Sequence, residues 1–322
     1  MENKKFHECY AEWVDTYKVG AVRQATLNKY RQTHAQLEAI APDVILQQLD
    51  RRTYQEIINK YAETHAKQTV CDFHTQLKAF ILDAIEEKML ENNPARKVAI
   101  KGIIPENTRI KCLSREECLK LVDELDLTKP IKSEERTKHS GAGWIYQVNW
   151  DWFILLCLKT GLRFAEAAGL TGDDFDFERN MLNVSKTYDY KFENKIVNDT
   201  KTLSSKRKIL LDNKLASQFQ ELLGKRSRDE LIFVVEGQRI FNTTVNNRLK
   251  TLCKTAGIPE ISVHGLRHTH ASILFYNGVS LYSVSRRLGH ADVTVTQRVY
   301  LHLIKELENE DNDKISAGLS MF

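Results

Sequence analysis

Leu288-Gly-His290-Ala-Asp-Val-Thr-Val-Thr-Gln-Arg-Val-Tyr300-Leu-His302 sets a tyrosine ten residues beyond a histidine, near the end of a 322-residue chain. Working outward, three further segments combine cationic and imidazole side chains. Val263-His264-Gly-Leu-Arg267-His268-Thr-His270 lies just upstream. Thr200-Lys201-Thr-Leu-Ser-Ser-Lys-Arg207 falls in a turn between two expected strands. Lys159-Thr-Gly-Leu-Arg163-Phe-Ala-Glu166 places a glycine that breaks one helix ahead of an arginine that begins the next. Each segment alone has an ordinary reading. An arginine after a Gly-Leu turn is most often a solvated surface residue, a loop lysine is most often exposed, and an isolated tyrosine is most often core. The order and spacing of all four carry the signal.

Together, in this order, the four segments resemble the tyrosine recombinase (phage integrase) family, and the resemblance covers everything from about residue 113 onward. It implies a mainly α fold with a small three-stranded β-sheet and two domains. These are a helical core-binding (SAM-like) domain and a mixed α/β catalytic domain of the tyrosine-recombinase type. It also implies a site made of Arg163, Lys201, His264, Arg267, His290 and Tyr300. The residue types suit the chemistry. Phosphodiester cleavage spreads negative charge over the equatorial oxygens, and guanidiniums clamp such oxygens bidentately without losing their own charge. Imidazoles donate to the same oxygens or move a proton. By resemblance, Lys201 is the general acid for the leaving 5′ oxygen and Tyr300 is the nucleophile, giving a 3′-phosphotyrosyl intermediate. Glu166, three residues after Arg163 and on the same helical face, is implied to orient the site without touching DNA. Ala167-Ala168 depart from the larger apolar residue common in the family, a difference of packing more than of chemistry. His268, His270 and His302 read as structural or phosphate-adjacent. A zinc site at His264, His268 and His270 lacks a supporting HExxH glutamate or cysteine set, so neither metal nor cofactor is expected.

Upstream of these segments, residues 6–92 read as helical. Phe6, Tyr10, Trp13 and Tyr17 make one aromatic face, and Leu27, Tyr30, His34 and Leu37 a second. Tyr54, Ile57, Ile58 and Tyr61 make a third, and Val70, Phe73, Leu77, Ile81 and Ala84 a fourth, ended by Asn92-Asn93-Pro94. A four-helix domain over 1–94 follows, its aromatics serving as core. Residues 95–112 carry five basic residues, Pro105 and no helical period, and read as an extended linker to a domain over 113–322. Ser114 and Glu117 form a capping box that opens a helix. Residues 129–143 (KPIKSEERTKHSGAG) look loop-like, a polar surface insertion, and a helix follows through Trp150–Leu158. Residues 181–186, 195–202 and 207–211 read as three strands of one small sheet. From about 214 the chain returns to helices, up to an acidic stretch at Glu306–Asp313. No internal repeat or low-complexity segment is visible.

Bulk properties exclude more than they identify. With 42% hydrophobic and 28% charged residues, the chain is an ordinary globular one, and its net charge of +4 permits a nucleic-acid partner without requiring it. No run approaches the roughly 20 apolar residues of a membrane span, and the charged first residues are unlike a secretion signal. The six cysteines have no CxxC pair and read as reduced thiols, so a cytoplasmic protein is expected.

The resemblance further implies a C-shaped clamp on double-stranded DNA, held largely through phosphates and therefore salt-sensitive, with bending contributing to specificity. It implies a head-to-tail homotetramer on two duplexes, in which the apolar tail (Ile315, Leu319, Met321, Phe322) docks on a neighbour, and leaves room for DNA-bending or directionality factors. A tail folded back on its own domain is the plainer alternative. The functional reading is integration and excision of a mobile element. The alternatives are an Xer-like chromosome-dimer resolvase, a type IB topoisomerase, and a non-catalytic DNA-binding regulator, which would be expected to lack Tyr300 or an arginine. No additional N-terminal arm-binding domain is visible.

Overall fold

The structure is a computed structural model that describes residues 4–104, 112–136, 144–197, 206–224, 227–294 and 296–297. The chain divides into two compact units, with the boundary between residues 108 and 109.

The first unit contains α1 (Phe6–Tyr17), α2 (Gln24–Ile40), α3 (Arg51–Ala62) and α4 (Lys67–Glu86). The aromatic stripes form its core as the periodicity predicts. Phe6, Tyr10, Trp13 and Phe80 interlock with ring centroids 5.7–5.9 Å apart. The Trp13 indole donates to Asp83 at 2.7 Å, pinning α1 to α4. Tyr17 leaves the stripe; it is exposed, and its hydroxyl donates to Glu87. The fourth helix stops well before Asn92-Asn93-Pro94. Lys88 turns to φ 60°, and the Met89 amide reaches back to the Ala84 carbonyl at 2.8 Å, a Schellman closure that satisfies an orphan acceptor.

Residues 95–103, expected within a linker, leave a turn that ends at Lys97 (φ 55°) and pack on this unit. Ala95 is buried, Gln55 holds both the amide and the carbonyl of Ala99, and Ile103 bridges to the start of α4 beside Ala66. Ala95, Val98 and Ile100 supply apolar contacts that a search for helical period passes over.

The second unit begins with α5 (Arg115–Asp123), opened by the expected Ser114–Glu117 capping box. Within the expected loop at 129–143, residues 132–136 form a strand. A hairpin of β1 (Lys132–Arg136) and β2 (Trp144–Val148) runs antiparallel in register from Lys132↔Val148 to Arg136↔Trp144. β1 is uniformly polar, so no alternation marks it; its pairing comes from the β-forming Trp144-Ile-Tyr-Gln-Val148.

Helix α6 (Trp150–Thr160) is buried on all sides, with Phe153, Leu156 and Cys157 at zero exposure, and is the axis of the unit. Its buried Asp151 is held by Arg248 through two bonds of 2.6 and 2.7 Å. After α7 (Phe164–Ala168), β3 (Phe175–Asp176), β4 (Met181–Val184) and β7 (Arg207–Leu210) make the three-stranded antiparallel sheet, with β4 central.

The described part of the strand expected at 195–202, residues 195–197, is not part of that sheet. β6 (Lys195–Val197) pairs instead with β5 (Thr187–Asp189) as a separate hairpin. The chain leaves the sheet at Lys186, whose ammonium turns inward to Asp174 and Thr171, both at 2.8 Å. Four helices follow: α8 (Asn213–Leu223), α9 (Asn242–Thr255), α10 (Val263–Tyr276) and α11 (Leu281–Leu288). All six cysteines are unpaired. Among the described residues, no helix is long and apolar enough to cross a membrane.

Candidate active site

The end of α6 sets the first guanidinium in place. Gly161 closes that helix in the left-handed conformation (φ 70°), and a Cβ there would lie 2.8 Å from the His270 ring, so a side chain is excluded both by backbone and by space. The chain then buries Leu162 and presents Arg163 as the N-cap of α7. The Arg163 guanidinium donates to Glu166 at 2.8 Å and to the Gly289 carbonyl at 3.2 Å, while its amide donates to the other Glu166 oxygen at 2.8 Å. Its side chain keeps 37% exposure, which leaves an edge accessible to a ligand.

Arg267 approaches the same region from α10. Although only 2% exposed, it donates to the Gly161 carbonyl at 2.7 Å and the Leu288 carbonyl at 2.6 Å. Arg267 thus ties the α6–α7 turn to the end of α11. One residue beyond that end, Gly289 takes φ 69° and directs the chain to His290, whose Nδ1 lies 2.6 Å from the Thr296 hydroxyl. His264 stands one turn before Arg267 on α10, and its ring meets His268 edge-on at 4.7 Å. Three of the four segments singled out in the sequence therefore converge. Lys201 and Tyr300 lie outside the described residues, as does the tail.

Burial and the nearby guanidiniums together lower the pKa values of the imidazoles here. The pKa of His290 is pushed down to about 4, first by burial and then by Arg267, Arg163 and Arg207. That of His268 is also lowered to about 4, by burial, His264 and Arg267. His264 is partly open to solvent, yet crowding by the surrounding chain, and after it Arg267 and Arg163, lower its pKa too. At neutral pH these rings are neutral, so each can donate one proton and accept another.

Two arginines that the sequence reading did not assign complete the frame. Arg207, at the start of β7, is buried and grips Glu166 with both arms at 3.0 and 2.9 Å, while its Nε donates to the Arg287 carbonyl at 2.6 Å. Burial alone would raise the pKa of the Glu166 carboxyl, but the Arg207 hydrogen bonds and charge, with Arg163, hold it at about 2. The Arg287 guanidinium donates to His270 Nε2 at 2.9 Å. That acceptor role leaves the His270 proton on Nδ1, where it donates to the Leu158 carbonyl at 3.0 Å. His270 is thus a structural link between α10, α6 and α11. A lysine-rich run hides Arg207, whose only cue is its place at the first position of a strand. Beside the site, Lys206, Lys208, Arg286, Arg287 and His290 help to line an open cleft of about 940 Å³.

A compact helical unit, followed by a helical unit with small antiparallel sheets that carries a cluster of arginines and histidines, is the architecture of the tyrosine-recombinase class. Residues 129–306, more than half of the chain, match the family profile described as the phage integrase family, and the chain belongs to that family. It is 29% identical over 279 residues to a tyrosine recombinase XerC-like protein of Caldanaerobacter subterraneus subsp. tengcongensis, covering 78% of this chain and 66% of that one. It is 22% identical over 336 residues to the integrase of Staphylococcus phage L54a, covering 98% and 93%. A transposase from transposon Tn916 of Enterococcus faecalis is 25% identical over 264 residues; this chain spans 74% of its own length there and 59% of the transposase. Among solved structures, a Tn1549 transposon integrase in complex with a circular intermediate DNA shares the fold, with TM-score 0.74, 19% identity and 92% and 95% of the two chains covered. A lambda integrase dimer bound to a core site shares it at TM-score 0.65 and 16% identity, covering 91% of this chain and 76% of that one.

Proposed function

We propose that this chain is a site-specific DNA recombinase that integrates and excises a mobile element through a 3′-phosphotyrosyl intermediate and a Holliday junction. The observation that carries the reading is the convergence of Arg163, Arg267, His264 and His290 on one cationic pocket. A scissile phosphate seated there is held by the two guanidiniums, which stabilise the charge gained in the transition state; loss of one such donor typically costs about 10²–10³ in rate. Tyr300 attacks phosphorus, the bond to the 5′ oxygen breaks, and Lys201 supplies the proton that the 5′ oxygen takes up. A neutral imidazole, His264 or His290, accepts the phenolic proton. The phosphotyrosyl bond conserves the energy of the broken one, so a partner strand's 5′ hydroxyl reverses the step without a cofactor. The unit made by the first four helices is a second DNA-contacting lobe, and the active assembly is a homotetramer on two duplexes. The relatives that are named integrase and transposase favour the mobile-element reading. The XerC-like relative favours a second one, resolution of chromosome dimers, which predicts action on a chromosomal site instead of element ends.

Incubation with a nicked suicide substrate tests the chemistry. Wild-type protein should yield a covalent protein–DNA adduct, and Lys201→Ala should form it slowly. Tyr300→Phe should bind the same DNA and yield none; an adduct persisting in that variant assigns the nucleophile elsewhere.

A further inference from the structure

His7, His34 and Glu38 belong to no part of the site above, yet their ligand atoms lie within 4.8 Å of one another in the first unit. We propose that they form a binding site for a transition-metal dication of the zinc type, joining the first turn of α1 to α2.

The spacing begins the case. His34 and Glu38 are four residues apart in α2 and share one face, while His7 faces them from the second position of α1. The two rings approach to 5.9 Å between centroids, inclined by 43°. Ligands at about 2.0–2.1 Å around a tetrahedral ion sit about 3.4 Å apart. Small side-chain rotations suffice to close the set.

Burial runs in the order such a site needs. His7 is 8% exposed, His34 is half-buried and Glu38 is exposed, so the set has a buried floor and a solvent-side entry. Among the described residues, neither imidazole has a hydrogen-bond partner. Each ring therefore keeps a nitrogen lone pair available to a ligand, and His7, though mostly covered, is not sealed from solvent. Two imidazoles and a carboxylate suit zinc and its neighbours; magnesium and calcium demand oxygen ligands. Three protein ligands leave a fourth position for water. The ion is structural here, since it binds the folded helix pair and not the unfolded chain.

The test uses the full-length protein stripped with chelator and dialysed, then titrated with zinc chloride by calorimetry and with cobalt chloride by visible absorption. One equivalent should bind through this set, giving cobalt ligand-field bands without the near-ultraviolet charge transfer of a cysteine thiolate. Zinc should also raise the melting temperature. His7→Ala, His34→Ala and Glu38→Gln should each weaken that equivalent by more than about tenfold. His7 is buried and its variant can lose fold, so the exposed Glu38→Gln, with an unchanged melt in chelator, is the deciding arm. No binding, a thiolate band, or an affinity unchanged in both His34→Ala and Glu38→Gln overturns the proposal.

Discussion

Replacing Arg207 by alanine should unfold the second unit far more readily than an exposed arginine change would. Arg207 and Glu166 are about equally buried, at 5% and 3% side-chain exposure, and are joined by two bonds. The Glu166 carboxyl is held at about 2 against an ordinary 4.5. That difference is worth roughly 3 kcal/mol at neutral pH, at about 1.4 kcal/mol per unit. The folded value lies below the unfolded one, so this stabilisation is complete above about pH 4.5 and is lost as the pH falls toward 2. Removing one partner of a buried pair typically costs about 3–5 kcal/mol, because the other charge is stranded. Arg163 still touches Glu166, which places the expected loss near the lower end. Urea denaturation followed by tryptophan fluorescence in a Trp13→Phe background reads the second unit, since the other three tryptophans, Trp144, Trp150 and Trp152, all belong to it. The double variant Arg207→Ala with Glu166→Gln should recover part of the loss, because no buried carboxylate is then left unpaired. A single-variant loss below about 1 kcal/mol, the worth of an exposed pair, would refute the reasoning. So would a double variant as unstable as the sum of its parts.

Gly289→Ala should destabilise the same unit by about 1–3 kcal/mol, through an unfavourable left-handed residue. Its new Cβ would lie 2.9 Å from the Arg207 guanidinium, so its DNA-cleavage rate should fall as well; a neutral effect in both assays would contradict the packing described. His290 should titrate near pH 4 in the DNA-free protein, followed by its ring proton resonances. Because that value lies below the unfolded 6.5, its contribution to stability is present above pH 6.5 and is lost as the pH falls toward 4; titration near 6.5 would mean that the burial of the ring and its cationic neighbours are not as described.

How far the sequence could be read depended on whether the signal was local. The aromatic stripes of α1 to α4 are repeats of one helical face, and they fold as read. The Ser114–Glu117 box is equally local, and it forms. Strand pairing is not local: Lys195–Val197 could be recognised as β, but nothing in its residues says that its partner is Thr187–Asp189 and not Met181–Val184. The two-residue β3 that completes the sheet is too short for any alternation to mark it. For the site, the order of the four segments named Arg163, Arg267, His264 and His290, which the fold brings together. Arg207 and Arg287 escaped because their importance lies in what they touch across 41 and 17 residues of sequence, at Glu166 and His270.

Those contacts also explain how a cationic pocket can be rigid before its ligand arrives. Guanidiniums crowded together repel one another, and the simplest remedy, a carboxylate for each, would cancel the field that a phosphate must feel. Here Arg163 and Arg207 share the single carboxylate of Glu166. Further bonds from Arg163, Arg207 and Arg267 run to the carbonyls of Gly161, Arg287, Leu288 and Gly289. Carbonyl dipoles orient a guanidinium without neutralising it. Burial is the largest cause of the lowered His290 pKa, and Arg267, Arg163 and Arg207 add to it, in keeping with charges that are not cancelled by carboxylates. Both helix-ending glycines, Gly161 and Gly289, are left-handed where they offer those carbonyls, which binds the backbone turns and the charge arrangement into one structural unit. Under the proposed function, a scissile phosphate would meet donors already aimed, and reorganisation would not be needed at the moment of reaction.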